Sequence, residues 1–145
     1  MTFTIAPVVS TESVPALQVL GEEMRPLLHG GAFEVVDVRG PRETGPPPHN
    51  HPWDEGYLVL EGELEVLRAE ESFILAAGDC IQIPAMTLHS YRVASEVAHF
   101  LTITSPASAV AFFTDVAANA PTLENLPAVI EVARRNRVDS PLFSV

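Results

Sequence analysis

The stretch "PPPHNHPWDEGYLVLEG", residues 46–62, holds two of the chain's five histidines one residue apart, directly before an acidic turn into an apolar segment. Side chains alternate along an extended chain, so His49, His51 and Glu55 share the same parity and can project to one side. Two imidazoles and a carboxylate suit a divalent transition metal, whereas a hard cation is held by oxygen ligands alone. The stretch therefore predicts half of a metal site, which fits Fe, Mn, Co, Ni, Cu or Zn.

A later stretch supplies a candidate for the fourth ligand. "GDCIQIPAMTLHSYRV", residues 78–93, has the pattern of a strand, a break at Pro84 and a second strand that starts near His89. A histidine at a strand end can face the first group, so we expect His89 to complete the site. His29 and His99 have no partner at a ligand spacing and are expected to be structural.

The segments around both stretches predict an all-β fold. Short runs in which apolar and polar residues alternate, bounded by glycine and proline, indicate half-buried strands. They are "GAFEVVDVRG" (31–40), "YLVLEGELEVL" (57–67), "SFILAAGDCIQI" (72–83) and "EVAHFLTITSP" (96–106). The second run predicts a hairpin with its turn at Glu61 and Gly62, and the third a tight turn at Gly78 and Asp79. Many short strands at even spacing indicate a sandwich or a barrel.

Helical spacing of apolar residues occurs only near the end of the chain. "SAVAFFTDVAAN" (108–119) and "NLPAVIEVARRNRV" (125–138) carry this pattern. The second closes with arginines, which the negative end of a helix dipole favours. We therefore expect one or two helices to pack against the outside of the strands.

Length and composition limit the class of protein. A chain of 145 residues fits one domain with a core of its own, and a single cysteine, Cys80, excludes an internal disulfide. We expect Cys80 to be a buried core residue. The first residues, "MTFTIAPVVSTESV", lack the basic start and apolar block of an export signal, which predicts a cytoplasmic protein. No apolar run approaches the roughly 18 residues that a membrane span requires.

The charge of the chain argues against several partners and chemistries. The formal net charge is -11, from 19 acidic residues against 8 basic ones. An acidic surface repels phosphate backbones and anionic lipid, so nucleic acid is not an expected partner. All the basic residues are arginine, and the absence of lysine excludes Schiff-base chemistry and a lysine-anchored pyridoxal cofactor.

Both histidine stretches resemble the conserved motifs of the cupin superfamily. The first motif, H-x-H, three residues, Glu, six residues and Gly, matches His49, His51, Glu55 and Gly62. "GDCIQIPAMTLH" resembles the second motif, in which the residues that match are Gly78, Pro84 and His89. Met86 stands where the family usually has glycine and Val93 where it usually has asparagine, and neither is a ligand position. The resemblance implies a six-stranded jelly-roll β-barrel, or double-stranded β-helix, with the metal inside.

The resemblance reaches further, from about Gly30 to Ala118, where the chain is similar to small single-domain cupins described as quercetin dioxygenase-like. It implies one cupin domain over residues 1–145, with the barrel core at about 30–106 and the helices at about 107–138. It also implies a metal-dependent, dioxygenase-like enzyme that acts on a small apolar or aromatic chelating substrate. The same barrel hosts isomerases, epimerases, lyases and non-catalytic binding proteins, so these alternatives stay open.

Several residues are predicted to have roles beside the metal. Glu55 is the candidate catalytic base, which requires surroundings that raise its pKa towards working pH. Trp53 is expected at the barrel mouth, as the edge of a lid or as interface surface, and Asp54 at the surface or beside the ligands. Residues expected to turn inward and line a substrate pocket are Phe33, Tyr57, Phe73, Met86, Tyr91 and Phe100. For both tyrosines, core packing is the alternative.

The first residues predict the oligomeric state. An exposed edge of a sheet needs covering, and "MTFTIAPVV", residues 1–9, could pair with a second subunit. We therefore expect a homodimer.

Overall fold

The computed structural model describes residues 8–144, so most of the predicted extended start lies outside the described residues. Nine strands precede two helices, and a 3₁₀ turn lies near each end, at Thr11–Ser13 and Pro141–Ser144. The strands are β1 (Leu17–Val19), β2 (Glu22–Leu28), β3 (Glu34–Pro41), β4 (Asp54–Glu61), β5 (Glu63–Arg68), β6 (Glu71–Ala76), β7 (Cys80–Ile83), β8 (His89–Val93) and β9 (Val97–Ser105). The helices are α1 (Ala109–Asn119) and α2 (Leu126–Arg135).

The strands form two antiparallel sheets that face each other. One sheet has six strands in the order β1-β2-β3-β9-β4-β7, and the other has three in the order β6-β5-β8. Their inner faces share one core, to which Val36, Val59 and Phe100 contribute from the first sheet and Val66 and Val93 from the second. Each of these side chains is fully buried. This arrangement is the all-β fold that the alternating segments predicted, and it is consistent with the jelly-roll barrel that the cupin resemblance implies.

The predicted hairpin around Gly62 is wrong. Within the described residues β4 pairs with β7 and β9, whereas β5 pairs with β6 and β8, so the chain crosses from one sheet to the other at this turn. Gly62 has a φ of +80°, and a Cβ there would lie 2.2 Å from the carbonyl oxygen of Val97. The glycine is thus required at a tight corner, and a corner between sheets has the same local sequence signal as a hairpin turn.

The two helices lie where the sequence predicted them and close one side of the barrel. Val116 and Val132 join the same core as Val19 of β1 and Met24 of β2. Glu34, which is 5% exposed, accepts hydrogen bonds from two backbone N–H groups at the start of α1, 3.1 and 3.0 Å away. A carboxylate at a helix N-terminus satisfies donors that the helix leaves free, so it fixes α1 against β3.

The sequence patterns did not predict β1 and β2, which extend the six-stranded sheet beyond β3. Pro26 lies within β2, and the register between β2 and β3 shifts between Pro26 and Leu28. A proline inside a strand weakens the sequence signal for one, because it removes a backbone donor. None of the helices in residues 8–144 is long and apolar enough to cross a membrane.

Candidate metal centre

The proline-rich loop after β3 brings the first histidine pair to the start of β8. The backbone N–H of His49 donates to the carbonyl of His89, and the N–H of His89 donates back to His49, both at 2.9 Å. Closer to β3, the N–H of Val93 donates to the carbonyl of Thr44 at 2.9 Å. Gly45 lies between these contacts, where a Cβ would be 1.9 Å from the carbonyl oxygen of Tyr91. The loop thus runs directly along β8, which is why the two histidine stretches meet.

The three imidazole rings form one cluster. One ring nitrogen from each of His49, His51 and His89 lies within 4.8 Å of the other two. His51 and His89 are buried, at 3% and 0% exposure, and His49 is partly buried. Three ligand atoms about 2.1 Å from one ion are about 3.0 to 3.6 Å apart, so movements of at most about 0.7 Å by each ring would allow all three to bind.

Backbone carbonyls hold each ring in one orientation. Nδ1 of His49 lies 2.9 Å from the carbonyl oxygen of Pro47, Nδ1 of His51 lies 3.0 Å from that of Trp53, and Nδ1 of His89 lies 2.7 Å from that of Thr87. A carbonyl oxygen can only accept, so Nδ1 carries the proton in each case. Nε2 of each neutral ring then carries the lone pair that a metal ion requires.

Glu55, the second residue of β4, faces the same cluster. Its Oε1 lies 3.2 Å from Nε2 of His89 and 3.5 Å from Nε2 of His51, and the hydroxyl of Tyr57 donates to this oxygen at 2.9 Å. A carboxylate that faces nitrogen lone pairs in a buried space needs positive charge between them. A metal cation supplies that charge, so the donor set fits a bound divalent ion.

The surroundings of these groups favour their metal-binding forms. Burial by itself raises the pKa of Glu55, but hydrogen bonds and charge from His51 and His89, which Nε2 provides only when it carries a proton, outweigh it and hold that pKa well below its usual value. A bound cation would stand in the place of those protons. Burial and the neighbouring His89 lower the pKa of His49 to about 3. At neutral pH Glu55 is therefore ionised and His49 is neutral. The catalytic-base role predicted for Glu55 requires a raised pKa. The pKa is lowered instead, because two imidazoles face the carboxylate.

Trp53 is not at the edge of a lid or on a surface, contrary to the sequence prediction. It is 2% exposed, and its indole stacks on the ring of His51, with centroids 4.2 Å apart and planes inclined by 7°. Phe112 of α1 is a further aromatic neighbour, at 6.3 Å between centroids, and Ala109, Ala133 and Val138 pack in the same cluster. Helix α1 covers this part of the barrel. The residues next to Trp53 in the sequence could not predict this, because α1 comes more than 50 residues later.

A largely apolar cavity extends from the histidines to the helices. Tyr57 and Tyr91 line it next to each other, with ring centroids 5.4 Å apart. Glu22 and Thr102 add polar groups from β2 and β9. The apolar walls come mainly from α1, α2 and the chain after them, and include Phe112, Phe113, Val116, Val129, Val132 and Phe143. The cavity is thus mostly apolar, and His49 and His51 line one part of it.

The structure places the other predicted pocket residues outside this cavity. The side chain of Phe33, which precedes β3, is 53% exposed. That of Met86, which lies in a turn with a φ of +67°, is 61% exposed. Phe100 is fully buried in the core beside both tyrosines. Phe73 is partly buried and has the guanidinium of Arg68 over its ring. Alternation along a strand predicts which side chains share a face of the sheet, but it does not predict which face lines the cavity.

Three remaining expectations concern single residues near the barrel. Cys80 is exposed, contrary to the core prediction, because it lies with Gln82 on the outward-facing side of β7, whereas Ile83 on the other side is buried. Asp54 is exposed, and its Oδ1 accepts from the backbone N–H of Ala85 at 2.8 Å. His29 is exposed, and the ring of His99 bonds to the Asp37 carboxylate on β3. Both histidines thus have positions apart from the cluster.

The sequence analysis missed Glu22, Thr102 and the aromatic residues of α1. Glu22 is next to Glu23, and two adjacent acidic residues usually indicate a solvent-exposed turn, so Glu22 was not expected in a cavity. Glu22 shares parity with Met24, which is buried, and this signal could have indicated that it points inward. The helix residues had no such signal, because their position over the barrel depends on the tertiary fold.

Comparisons with known proteins agree with this architecture. The model of the Cupin domain family matches residues 36–104. Quercetin 2,3-dioxygenase of Bacillus subtilis (strain 168) is 43% identical over 67 residues, which cover 46% of this chain but 20% of that protein. The chain thus spans only about a fifth of that relative's length.

Two solved structures of similar fold are KdgF from a Halomonas species and the polyketide cyclase RemF from Streptomyces resistomycificus. The first has a TM-score of 0.67 at 22% identity and covers 70% of this chain and 94% of that one. The second has a TM-score of 0.61 at 21% identity, with coverage of 70% and 80%. Their low identity makes them evidence of fold alone. With the two facing sheets and the matched histidine stretches, the family match shows that residues 36–104 form a cupin domain.

Proposed function

We propose that the chain is a metal-dependent enzyme of the dioxygenase-like kind, which acts on a small apolar or aromatic chelating molecule. His49, His51, His89 and Glu55 would hold one divalent transition metal. The observation that carries the proposal is the convergence of three imidazoles and a buried carboxylate at one end of an apolar cavity. A purely structural cluster has no need of a cavity beside it.

The residues of this chain have defined tasks in that scheme. A bound divalent metal supplies the Lewis acidity that makes a chelating hydroxyl more acidic and, if it is redox-active, the electron exchange that dioxygen chemistry needs. Backbone carbonyls orient the three rings, and the Tyr57 hydroxyl orients the Glu55 carboxylate. The apolar walls exclude water from the reacting group and favour an aromatic substrate.

Metal content tests the ligand set. Protein purified without an affinity tag and loaded with each candidate metal is expected to hold one ion per chain, measured by elemental analysis. His89→Ala should lose it, whereas His29→Ala, which removes an exposed histidine, should keep it. Equal metal content in the wild type and in His89→Ala would exclude the proposed site.

Oxygen uptake tests the reaction. With a flavonol or an enediol as substrate, the metal-loaded protein is expected to consume dioxygen, and His49→Ala should fall to the rate of metal-free protein. The support for this chemistry is the similarity to a quercetin 2,3-dioxygenase over 67 residues. If a substrate panel of this kind gives no oxygen uptake with any loaded metal, the dioxygenase assignment is wrong.

A second candidate is Lewis-acid chemistry without dioxygen, such as an isomerase, an epimerase or a lyase. Burial raises the pKa of Glu22 to about 7, although hydrogen bonds from Tyr91 and Thr44 oppose the rise, so the cavity holds a carboxyl that can exchange a proton near neutral pH. Turnover that persists under strict anaerobiosis would favour this candidate over the first. Binding with no turnover in either atmosphere would leave a non-catalytic binding protein.

The homodimer and the cytoplasmic location stay predictions. The sheet order leaves β1 and β7 as the edge strands of the larger sheet. An edge strand offers unpaired backbone groups to a second copy. Light scattering on the eluted protein measures the mass directly, and a monomer across the micromolar range would exclude the dimer.

A further inference from the structure

A second carboxyl group lies in the same cavity. Glu22 of β2 is 1% exposed and lines the cavity together with the histidine cluster. Its Oε1 accepts a short hydrogen bond from the hydroxyl of Tyr91, and the hydroxyl of Thr44 lies 3.5 Å from its Oε2. Glu22 therefore sits apart from the four residues proposed as metal ligands, with neutral hydroxyl groups as its partners.

The fold makes space for this side chain. A Cβ at Gly40 would lie 2.9 Å from Oε2 of Glu22 and 2.6 Å from the hydroxyl oxygen of Thr44. Real Cβ atoms do not approach other atoms so closely, and Gly40 is a buried residue near the end of β3, where a larger residue would usually pack better. The glycine on β3 thus accommodates the carboxyl of Glu22 on the neighbouring strand.

Burial of this carboxyl is costly and only partly compensated. No ion pair among residues 8–144 includes Glu22, so no cation of the described chain balances it. A carboxylate has about four acceptor sites, and two hydroxyl groups occupy at most two of them. An apolar residue of similar size would pack here at lower cost, so core packing does not explain a glutamate.

Other polar atoms of the cavity also lack partners. Thr102 Oγ1 and Trp53 Nε1 are buried and have no hydrogen-bond partner among the described residues. Both residues line the cavity, and Thr102 is paired with Tyr57 across β9 and β4. Buried polar atoms in native proteins are nearly always bonded, and a bound ligand is one way to satisfy them.

We propose that Glu22 is a second polar anchor of the pocket, which binds a hydroxyl group of the ligand away from the end that faces the histidines. This inference rests on the proposed use of the cavity as a ligand site. It narrows the ligand class to molecules with an apolar, aromatic body that carry a phenolic or alcoholic hydroxyl in addition to a chelating group. Glu22 is thus a specificity-determining residue.

Equilibrium dialysis with two probes of the same shape tests this anchor. 2-Naphthol and 2-methylnaphthalene differ by a hydroxyl in place of a methyl group, and neither has a chelating pair of oxygens. The wild-type full chain is expected to bind 2-naphthol about tenfold more tightly, the ratio that one good hydrogen bond provides. The titration is run on protein as purified and on protein treated with a chelator.

Three variants separate the anchor from other causes. Glu22→Met should reduce the ratio to about one, and Glu22→Gln, which keeps an acceptor oxygen, should retain most of it. Glu23→Gln changes the next residue on β2, whose side chain is half exposed, and should leave the ratio unchanged. Circular dichroism verifies that each variant is folded. If Glu22→Met does not fold, the ratio of the two affinities in the wild type still tests the anchor.

Equal affinities of the wild type for the two probes, or no binding of either, would overturn the anchor. So would a ratio that survives in Glu22→Met, since the hydroxyl would then bind elsewhere, for example at the metal. Failure of the proposed function has a different signature, because it removes the metal content and the turnover without changing the ratio in chelator-treated protein.

Discussion

Replacing Glu22 by glutamine should change how the stability of the protein depends on pH. The side chain keeps its shape in this variant but loses its titration. In the folded chain burial raises the pKa of Glu22 from 4.5 to about 7, although hydrogen bonds from Tyr91 and Thr44 oppose the rise. In the unfolded chain the same group titrates near its usual value.

The sign of the effect follows from which state holds the proton. Below pH 4.5 both states are protonated, and Glu22 contributes no pH dependence. As pH rises through the interval from 4.5 to about 7, the unfolded chain ionises while the folded chain keeps its proton, so the free energy of unfolding falls. The difference between the two pKa values amounts to roughly 3 kcal/mol, of which about 2.5 kcal/mol falls between pH 5 and pH 8.

Urea unfolding at pH 5 and pH 8 measures this change. The stability of Glu22→Gln relative to the wild type should rise by about 2.5 kcal/mol between the two conditions. Tyr91 adds nothing to this difference, because burial and the nearby Glu22 raise its pKa well above 10. Ionisable groups that both proteins share in the same surroundings cancel in the comparison.

Glu23→Gln serves as the matched control, since its carboxylate is half exposed on the other face of β2. Its stability relative to the wild type should be nearly the same at both pH values. A relative stability of Glu22→Gln that changes by less than about 0.5 kcal/mol would refute the reasoning. A change of relative stability with pH that is equal in Glu22→Gln and Glu23→Gln would also refute it.

Three further outcomes are expected. Gly45→Ala should destabilise the protein by more than about 3 kcal/mol, because the new Cβ would lie 1.9 Å from the carbonyl oxygen of Tyr91. Gly78→Ala should lower the free energy of unfolding by only about 1 kcal/mol, because the new Cβ meets nothing within 4 Å and the only cost is the φ of +92°. Equal losses of stability for the two variants in urea unfolding would contradict this difference. Glu34→Gln should lower stability by about 1–2 kcal/mol and speed amide exchange at the start of α1, since a charged acceptor of two backbone N–H groups is lost. A metal at a hundred times its dissociation constant should stabilise the wild type by about 2.7 kcal/mol and leave His89→Ala unchanged in thermal unfolding.

Local patterns in the sequence predicted most of the strands, both helices and the residues that cluster at the candidate metal centre. Spacing placed His49, His51 and Glu55 on one side of an extended segment, and the structure brings them to the start of β8. Such predictions succeed because alternation and motif spacing are properties of neighbouring residues. They need no knowledge of which strands pair.

The features that the sequence did not reveal depend on tertiary contacts. Gly62 looked like a hairpin turn, but whether two strands pair across a turn is decided by β9 and β8, which come later in the chain. Glu22 lines a cavity whose walls come partly from α1 and α2, and Gly40 of β3 leaves room for its carboxyl. Strand parity alone specifies none of these neighbours.

Trp53 has a practical consequence as the chain's only tryptophan. Its indole lies flat on the imidazole of His51, so the protein's sole indole fluorophore reports on the metal centre itself. Paramagnetic ions quench emission at such short range, whereas zinc does not. The spectrum of the unlabelled protein should therefore distinguish copper, nickel or cobalt from zinc at the centre during a single titration.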